Sequence, residues 1–155
     1  MPHRSTGALT GLAILLLVTA GTSAGRTQEI LRFEHVLSTG PFLLPDRGHS
    51  LDWVVLNSAA DSQDVRVTVW QLNLSGVKTK ADPGTLTFRV GPGEAFHNAN
   101  SIGGNGPFRR GFYYEVVVEV NTRLVLPSVE VWSDDRGTPI PGTRIGPVGF
   151  VELRP

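Results

Sequence analysis

The chain has 155 residues, 14 of them basic and 14 acidic, and no cysteine. The missing cysteine excludes disulfide bonds, thiol catalysis, thiolate metal sites and a lipid-modified cysteine. The balanced charge, with no basic stripe, excludes a nucleic-acid partner held by phosphate neutralisation.

The N-terminus has three parts in order. Arg4 is a small positive head, Ala13 to Ala20 is an apolar run led in by Leu9 and Leu12, and Thr22-Ser23-Ala24 is a small-residue close. That order predicts a secretory signal peptide over residues 1–24 and a working domain over residues 25–155, placed outside the cell, in the periplasm or in the cell envelope. The apolar run is about a dozen residues against the ~20 that span a bilayer. No stable membrane span is therefore expected after cleavage, and retention of the leader as an anchor is the alternative. Removing the leader deletes Arg4 and leaves 13 bases against 14 acids. The remaining length of about 130 residues is enough for one core without staples.

After the leader no helical period is sustained, and short β-rich runs alternate with Gly, Pro, Asn and Asp. A first strand is predicted over Glu29 to Leu37, with Leu31, Phe33 and Leu37 on one side. Gly40-Pro41 and Pro45 to Gly48 break it. The second, Ser50 to Asn57, is apolar on both sides at Trp53-Val54-Val55-Leu56 and reads as central, with Trp53 in the core. In Asp64 to Leu72, Val65, Val67 and Val69 alternate with Arg66, Thr68 and Trp70, so the valines face inward. Asn73 to Gly84 reads as a polar loop with a short edge strand near Val77 to Thr79. Thr85 to Val90 alternates again.

Glu94 to Gly111 reads as a long Gly/Asn-rich loop, of a length that is uncommon without a function. Phe112 to Val120 gives the strongest strand signal. Its inner row is Phe112, Tyr114, Val116, Val118 and Val120, and its outer row includes Tyr113, Glu115 and Glu119. Asn121-Thr122-Arg123 is short enough for a hairpin into Leu124 to Trp132. Pro127 lacks an N–H and places that strand at an edge or a bulge. Ser133 to Pro147 reads as a loop, and Val148 to Leu153 closes the domain.

Seven or eight strands with regular turn signals and no crossover helix predict an all-β, antiparallel β-sandwich with Greek-key connections. Trp53-Val54-Val55-Leu56-Asn57, the row Val65, Val67 and Val69, and Tyr114-Glu115-Val116-Val117-Val118 carry a likeness. In outline the chain resembles the immunoglobulin-like modules of secreted bacterial proteins over about Ser50 to Trp132, without the inter-sheet cysteine pair of antibody domains. The resemblance implies an immunoglobulin-like arrangement of the strands.

No cofactor, metal or catalytic constellation is expected. His35, His49 and His97 fall in separate segments without ligand spacing. Ser133 to Gly137 reads as an Asp/Gly turn rather than a calcium loop. There is no Gly-x-Ser-x-Gly turn. Gly103 to Gly106 lacks the helix and lysine of a phosphate loop, although Arg109 and Arg110 beside it suit an anion. The aromatics give the best lead. Trp70, Trp132 and Tyr113 share the parity of outward-facing residues, and exposed aromatics mark surfaces for sugars or proteins. Asn73-Leu74-Ser75 is a lone N-glycosylation sequon.

The expected function is non-enzymatic surface recognition of a protein or glycan. One alternative is a structural subunit that self-assembles through sheet edges. A second is a hydrolase with a site built from the loops Glu94 to Gly111 and Ser133 to Pro147.

Overall fold

The computed structural model describes residues 31–46, 48–101, 112–133 and 137–153. The predicted leader lies outside them, as do Glu29, Ile30 and the paired aspartates Asp134 and Asp135. The described residues form nine strands: β1 (His35–Ser38), β2 (Phe42–Leu43), β3 (Gly48–Asn57), β4 (Gln63–Leu72), β5 (Lys78–Val90), β6 (Ala95–Ser101), β7 (Tyr113–Val120), β8 (Val125–Ser133) and β9 (Val151–Leu153). A 3-10 turn, Pro147–Gly149, precedes the last strand. The protein is all-β and each pairing is antiparallel. A six-stranded sheet runs β5-β4-β7-β1-β9 with β2 also beside β7, and a three-stranded sheet runs β6-β3-β8. Among the described residues no helix is long and apolar enough to cross a membrane.

Alternation builds both inner faces. Val65, Val67 and Val69 of β4 lie opposite Val120, Val118 and Val116 of β7. Leu51, Trp53 and Val55 of β3 lie opposite Val131, Val129 and Pro127 of β8. The valines, Leu51 and Trp53 are buried in one cluster that both sheets share. Phe88 of β5 stacks on Trp53 at 5.8 Å and on Phe96 of β6 at 4.0 Å between ring centroids, so the two inner faces touch directly. Each fully buried valine contributes roughly 1.5 kcal/mol or more, which is how a core without cross-links is held. Among the described residues the cluster and its flanking apolar residues run from Leu37 to Phe150.

Asn57 ends β3 where the chain leaves the three-stranded sheet, and its side chain is fully buried. Its Nδ2 faces the carbonyl oxygens of Asp61, Val90 and Gly91 at 2.8, 3.0 and 3.1 Å, and its Oδ1 accepts the amide of Ala59 at 2.9 Å. The backbone adds to this. Asn57 N donates to Glu94 O, Gly93 N to Asn57 O, and Ser58 N to Leu124 O, each at 2.9 Å. Two connections between the sheets, β3 to β4 and β5 to β6, meet at this one residue, and the β7 to β8 connection is tied to its neighbour Ser58. Gly93 makes its close approach with φ +73, a conformation that favours glycine.

Several expectations change. The strand count is nine rather than seven or eight because β2, of only two residues, and β6 were not expected as strands, whereas the edge strand near Val77 to Thr79 joins Thr85 to Val90 in β5. Ala95 to Ser101, read as part of a loop, is β6, paired along β3 from Leu56↔Ala95 to Ser50↔Ser101. Its Asn and Ala residues depress strand propensity, but pairing with a buried central strand overrides that. Residues 102–111 of the expected loop lie outside the described residues. β5 starts at Lys78, and its register shifts opposite Thr68 to Trp70, so the polar residues before Thr85 belong to a bulged strand.

The first strand begins only at His35. Phe33 leaves the expected inner row and packs under the Arg66 guanidinium, 4.8 Å from its ring centroid. Asn121-Thr122-Arg123 makes no hairpin, because β7 and β8 lie in different sheets. Residues 138–145, also read as loop, run along β8 with bridges Trp132↔Pro139 and Val129↔Ile145. Other readings hold. Trp53 is core, β3 is central, and β8 with Pro127 is an edge strand.

Replacing Asn57 by alanine strips a partner from the buried carbonyl of Val90 and from the part-buried carbonyls of Asp61 and Gly91 at once. Asn57→Ala should destabilise the protein by about 2–3 kcal/mol in denaturant unfolding. A loss within experimental error would show that the crossovers do not depend on this side chain.

Candidate functional site

β3 and β8 turn one set of residues into the core and the other set outward. The outward set pairs Ser50 with Trp132, Asp52 with Glu130 and Val54 with Ser128, and His97 of β6 lies beside Val54. Asp52, Val54, His97, Ser128, Glu130 and Trp132, with Arg144 from the segment along β8, line a hollow of about 290 Å³ on the outer face of the three-stranded sheet. That is near the lower limit of roughly 300 Å³ for small-molecule sites, so the hollow seats one end of a ligand rather than enclosing it. Trp132 is half-buried at its rim.

The polar groups differ in how far they are already satisfied. Asp52 accepts Ser50 Oγ at 2.6 Å on one oxygen and lies 3.2 Å from His97 Nε2 on the other. Glu130 and Arg144 form no hydrogen bond or ion pair with a described residue. Asp52 and Glu130 stand directly opposite each other. Like charges in that position are destabilising, so folding alone does not account for the arrangement. A half-buried indole beside a free carboxylate and a free guanidinium is suited to a ligand with a flat apolar side and several hydroxyl groups.

The predicted aromatics do not come together. Trp132 lies on the three-stranded sheet. Trp70 and Tyr113 lie on the outer face of the six-stranded sheet, where Trp70 is opposite Glu115 and Tyr113 opposite Leu72. Trp70 faces outward as its parity requires, but the ammonium groups of Lys78 and Lys80 sit 4.9 and 5.6 Å from its ring centroid. Glu115 lies in the row expected to face outward. It is only 7 % exposed, pairs with Lys78 and accepts Ser38 Oγ at 2.6 Å. Arg109 and Arg110 lie outside the described residues.

The convergence of Asp52, His97, Ser128 and Arg144 on Trp132 is missed by sequence reasoning. The parity of Asp52 against Leu51, Trp53 and Val55 is a signal for its outward position. The pairing of β3 with β8 and β6, which brings the others beside it, has no local signal. Among the described residues no group of three or more His, Asp or Glu side chains is placed to hold a metal.

A second cluster lies at the other margin of the fold. Glu152 of β9 accepts from His35 Nδ1 at 2.7 Å and from Arg123 Nη2 at 2.6 Å. The bond to His35 holds the Glu152 carboxyl below its ordinary value of 4.5, against partial desolvation and with help from the Arg123 charge.

No family model matches the chain, and no curated protein matches it. Among solved structures it is similar to the crystal structure of Thermotoga maritima 1070, at TM-score 0.45 and 9% identity, over 79% of this chain and 93% of that one. A likeness this distant carries no inference about role.

The folded value of Glu152 lies below its unfolded value, so its ion cluster stabilises β9 above the ordinary carboxyl pKa and is lost as pH falls through the folded value. Glu152→Gln should therefore flatten the acid limb of the stability profile below about pH 4.5. An acid limb unchanged from the parent in pH-dependent melts would contradict this.

Proposed function

We propose that residues 1–24 direct export and that the domain is a non-enzymatic recognition module whose ligand is a glycan, taken at the outer face of β3, β6 and β8 around Trp132. The carrying observation is the joint position of Trp132, the unpaired Glu130 and the unpaired Arg144 in one hollow. The indole supplies a flat apolar platform, and the charged groups supply hydrogen bonds that fix orientation. Glycan is favoured over protein because the hollow is small and mixes polar groups with an apolar wall rather than forming a broad apolar patch.

The fold reading behind this is an immunoglobulin-like Greek key. β3, β4, β6 and β7 take the places of the four central strands, while β1 lies beside β7 and β8 beside β3. In immunoglobulin domains the first strand joins the sheet of the second strand and the last strand joins the other. Here the terminal strands have exchanged sheets.

Trp132→Ala should reduce capture on an array of immobilised oligosaccharides by about tenfold or more while leaving the thermal transition close to that of the parent. Capture undiminished by Trp132→Ala, or no oligosaccharide retained by the parent, would refute the reading.

One observation favours a second reading, self-assembly through an edge. β5 is guarded by Lys78, Lys80 and Arg89, β9 has only three residues, and β8 is covered by Pro139 and Ile145. β6 is an edge whose described side chains include no Lys, Arg, Asp or Glu. Such an edge is a template for another strand. Light scattering should then show a concentration-dependent oligomer that Ala99→Lys dissolves. A monomer at all concentrations would end this reading.

A further inference from the structure

We infer that the end of the six-stranded sheet around the turn 73–77 docks on an anionic lipid surface. This is a second surface, on the opposite side of the domain from Trp132, and it does not rest on the glycan reading.

The register places Leu43, Tyr113, Leu72 and Lys78 in one row across β2, β7, β4 and β5. Leu43 is 51% and Tyr113 41% exposed, and beyond the row the turn holds out Leu74 at 88% and Val77 at 54%. The turn is well tied. Asn73 Oδ1 accepts the amides of Ser75 at 3.1 Å and Val77 at 2.8 Å, together with the Ser75 hydroxyl at 2.8 Å. Leu74 and Val77 are therefore fixed outward by polar bonds that do not need apolar side chains at those positions. Their exposure adds nothing to the core.

Charge selects the occupant. Lys78 and Lys80 are the chain's two lysines, and both lie at this end. Glu115 faces Lys78 and is already used by it and by Ser38. Lys80 forms no ion pair with a described residue. Further along the same face the bases are matched, Arg66 with Glu119 at 3.3 Å and Arg89 with Asp64 at 3.1 Å. The unmatched positive charge thus coincides with the apolar end of the sheet. Apolar tips that enter the acyl boundary, a Tyr at headgroup depth and an unmatched lysine beside anionic headgroups are the composition of a peripheral membrane contact.

The test is co-sedimentation of residues 25–155, which hold every core residue among the described ones, with vesicles. The leader is omitted because its apolar run would itself partition. The domain should sediment with mixed phosphatidylserine and phosphatidylcholine vesicles, less at high salt and less with phosphatidylcholine alone. Leu74→Asp with Val77→Asp should abolish sedimentation. Lys80→Glu, an exposed single change that keeps the turn intact, should weaken it about fivefold, and Trp132→Ala should leave it unchanged. Any of three results would overturn the inference: no sedimentation of the parent, sedimentation that the Lys80 and turn variants do not alter, or a dimer in solution that the turn variant dissolves, which would assign the face to a second copy.

Discussion

The fold depends on the fully buried amide of Asn57, which ties two crossings between the sheets together while the adjacent Ser58 holds a third. A two-sheet protein must satisfy the backbone groups of each connection that leaves one sheet for the other, because those groups drop out of the ladders. Many exported domains secure their sheets with a disulfide, and this chain has no cysteine. A single side chain with a donor end and an acceptor end does the equivalent work at one end of the core. It binds the carbonyls that close β5 and the start of the β3 to β4 connection while its own backbone holds Gly93 and Glu94.

With the inner faces and the crossovers fixed in this way, the outer faces are under fewer folding constraints, and they differ in chemistry. The three-stranded sheet presents Trp132 with acids and a base that are only partly paired. The opposed Asp52 and Glu130 place a small electrostatic cost in the sheet. The six-stranded sheet instead pairs most of its outward charges and concentrates apolar exposure at one end. The two surfaces lie on opposite sides of the shared core, so one ligand need not displace the other. Under the two proposals, docking on lipid by one face would leave the other face open to a glycan.

Much of the fold was legible wherever alternation was strong. The rows of Val65, Val67 and Val69 and of Tyr114, Val116, Val118 and Val120 gave their strands and their inward faces directly, and Pro127 marked an edge. Legibility failed where pairing with a distant strand decides the outcome. β6 looked like a loop because Asn98 and Asn100 are weak strand formers, yet β3 supplies a full ladder for them. The expected β7 to β8 hairpin failed for a related reason, since a three-residue connection suits a turn within a sheet and a step between sheets equally well. The parities of Trp70, Tyr113 and Trp132 were correct as outward positions. Which of them share a face depends on sheet membership, and alternation does not encode that.

The most direct measurement of the central claim is native-state amide hydrogen exchange at the crossovers. Connections are ordinarily among the first amides to exchange. If the crossings are tied through Asn57, the amides of Asn57, Ser58 and Gly93 will exchange as slowly as those of Val67 and Val118 in the central strands, and only through global unfolding. Rapid exchange of these three amides while β4 and β7 stay protected would contradict the account and show that the sheets are held by the valine core alone.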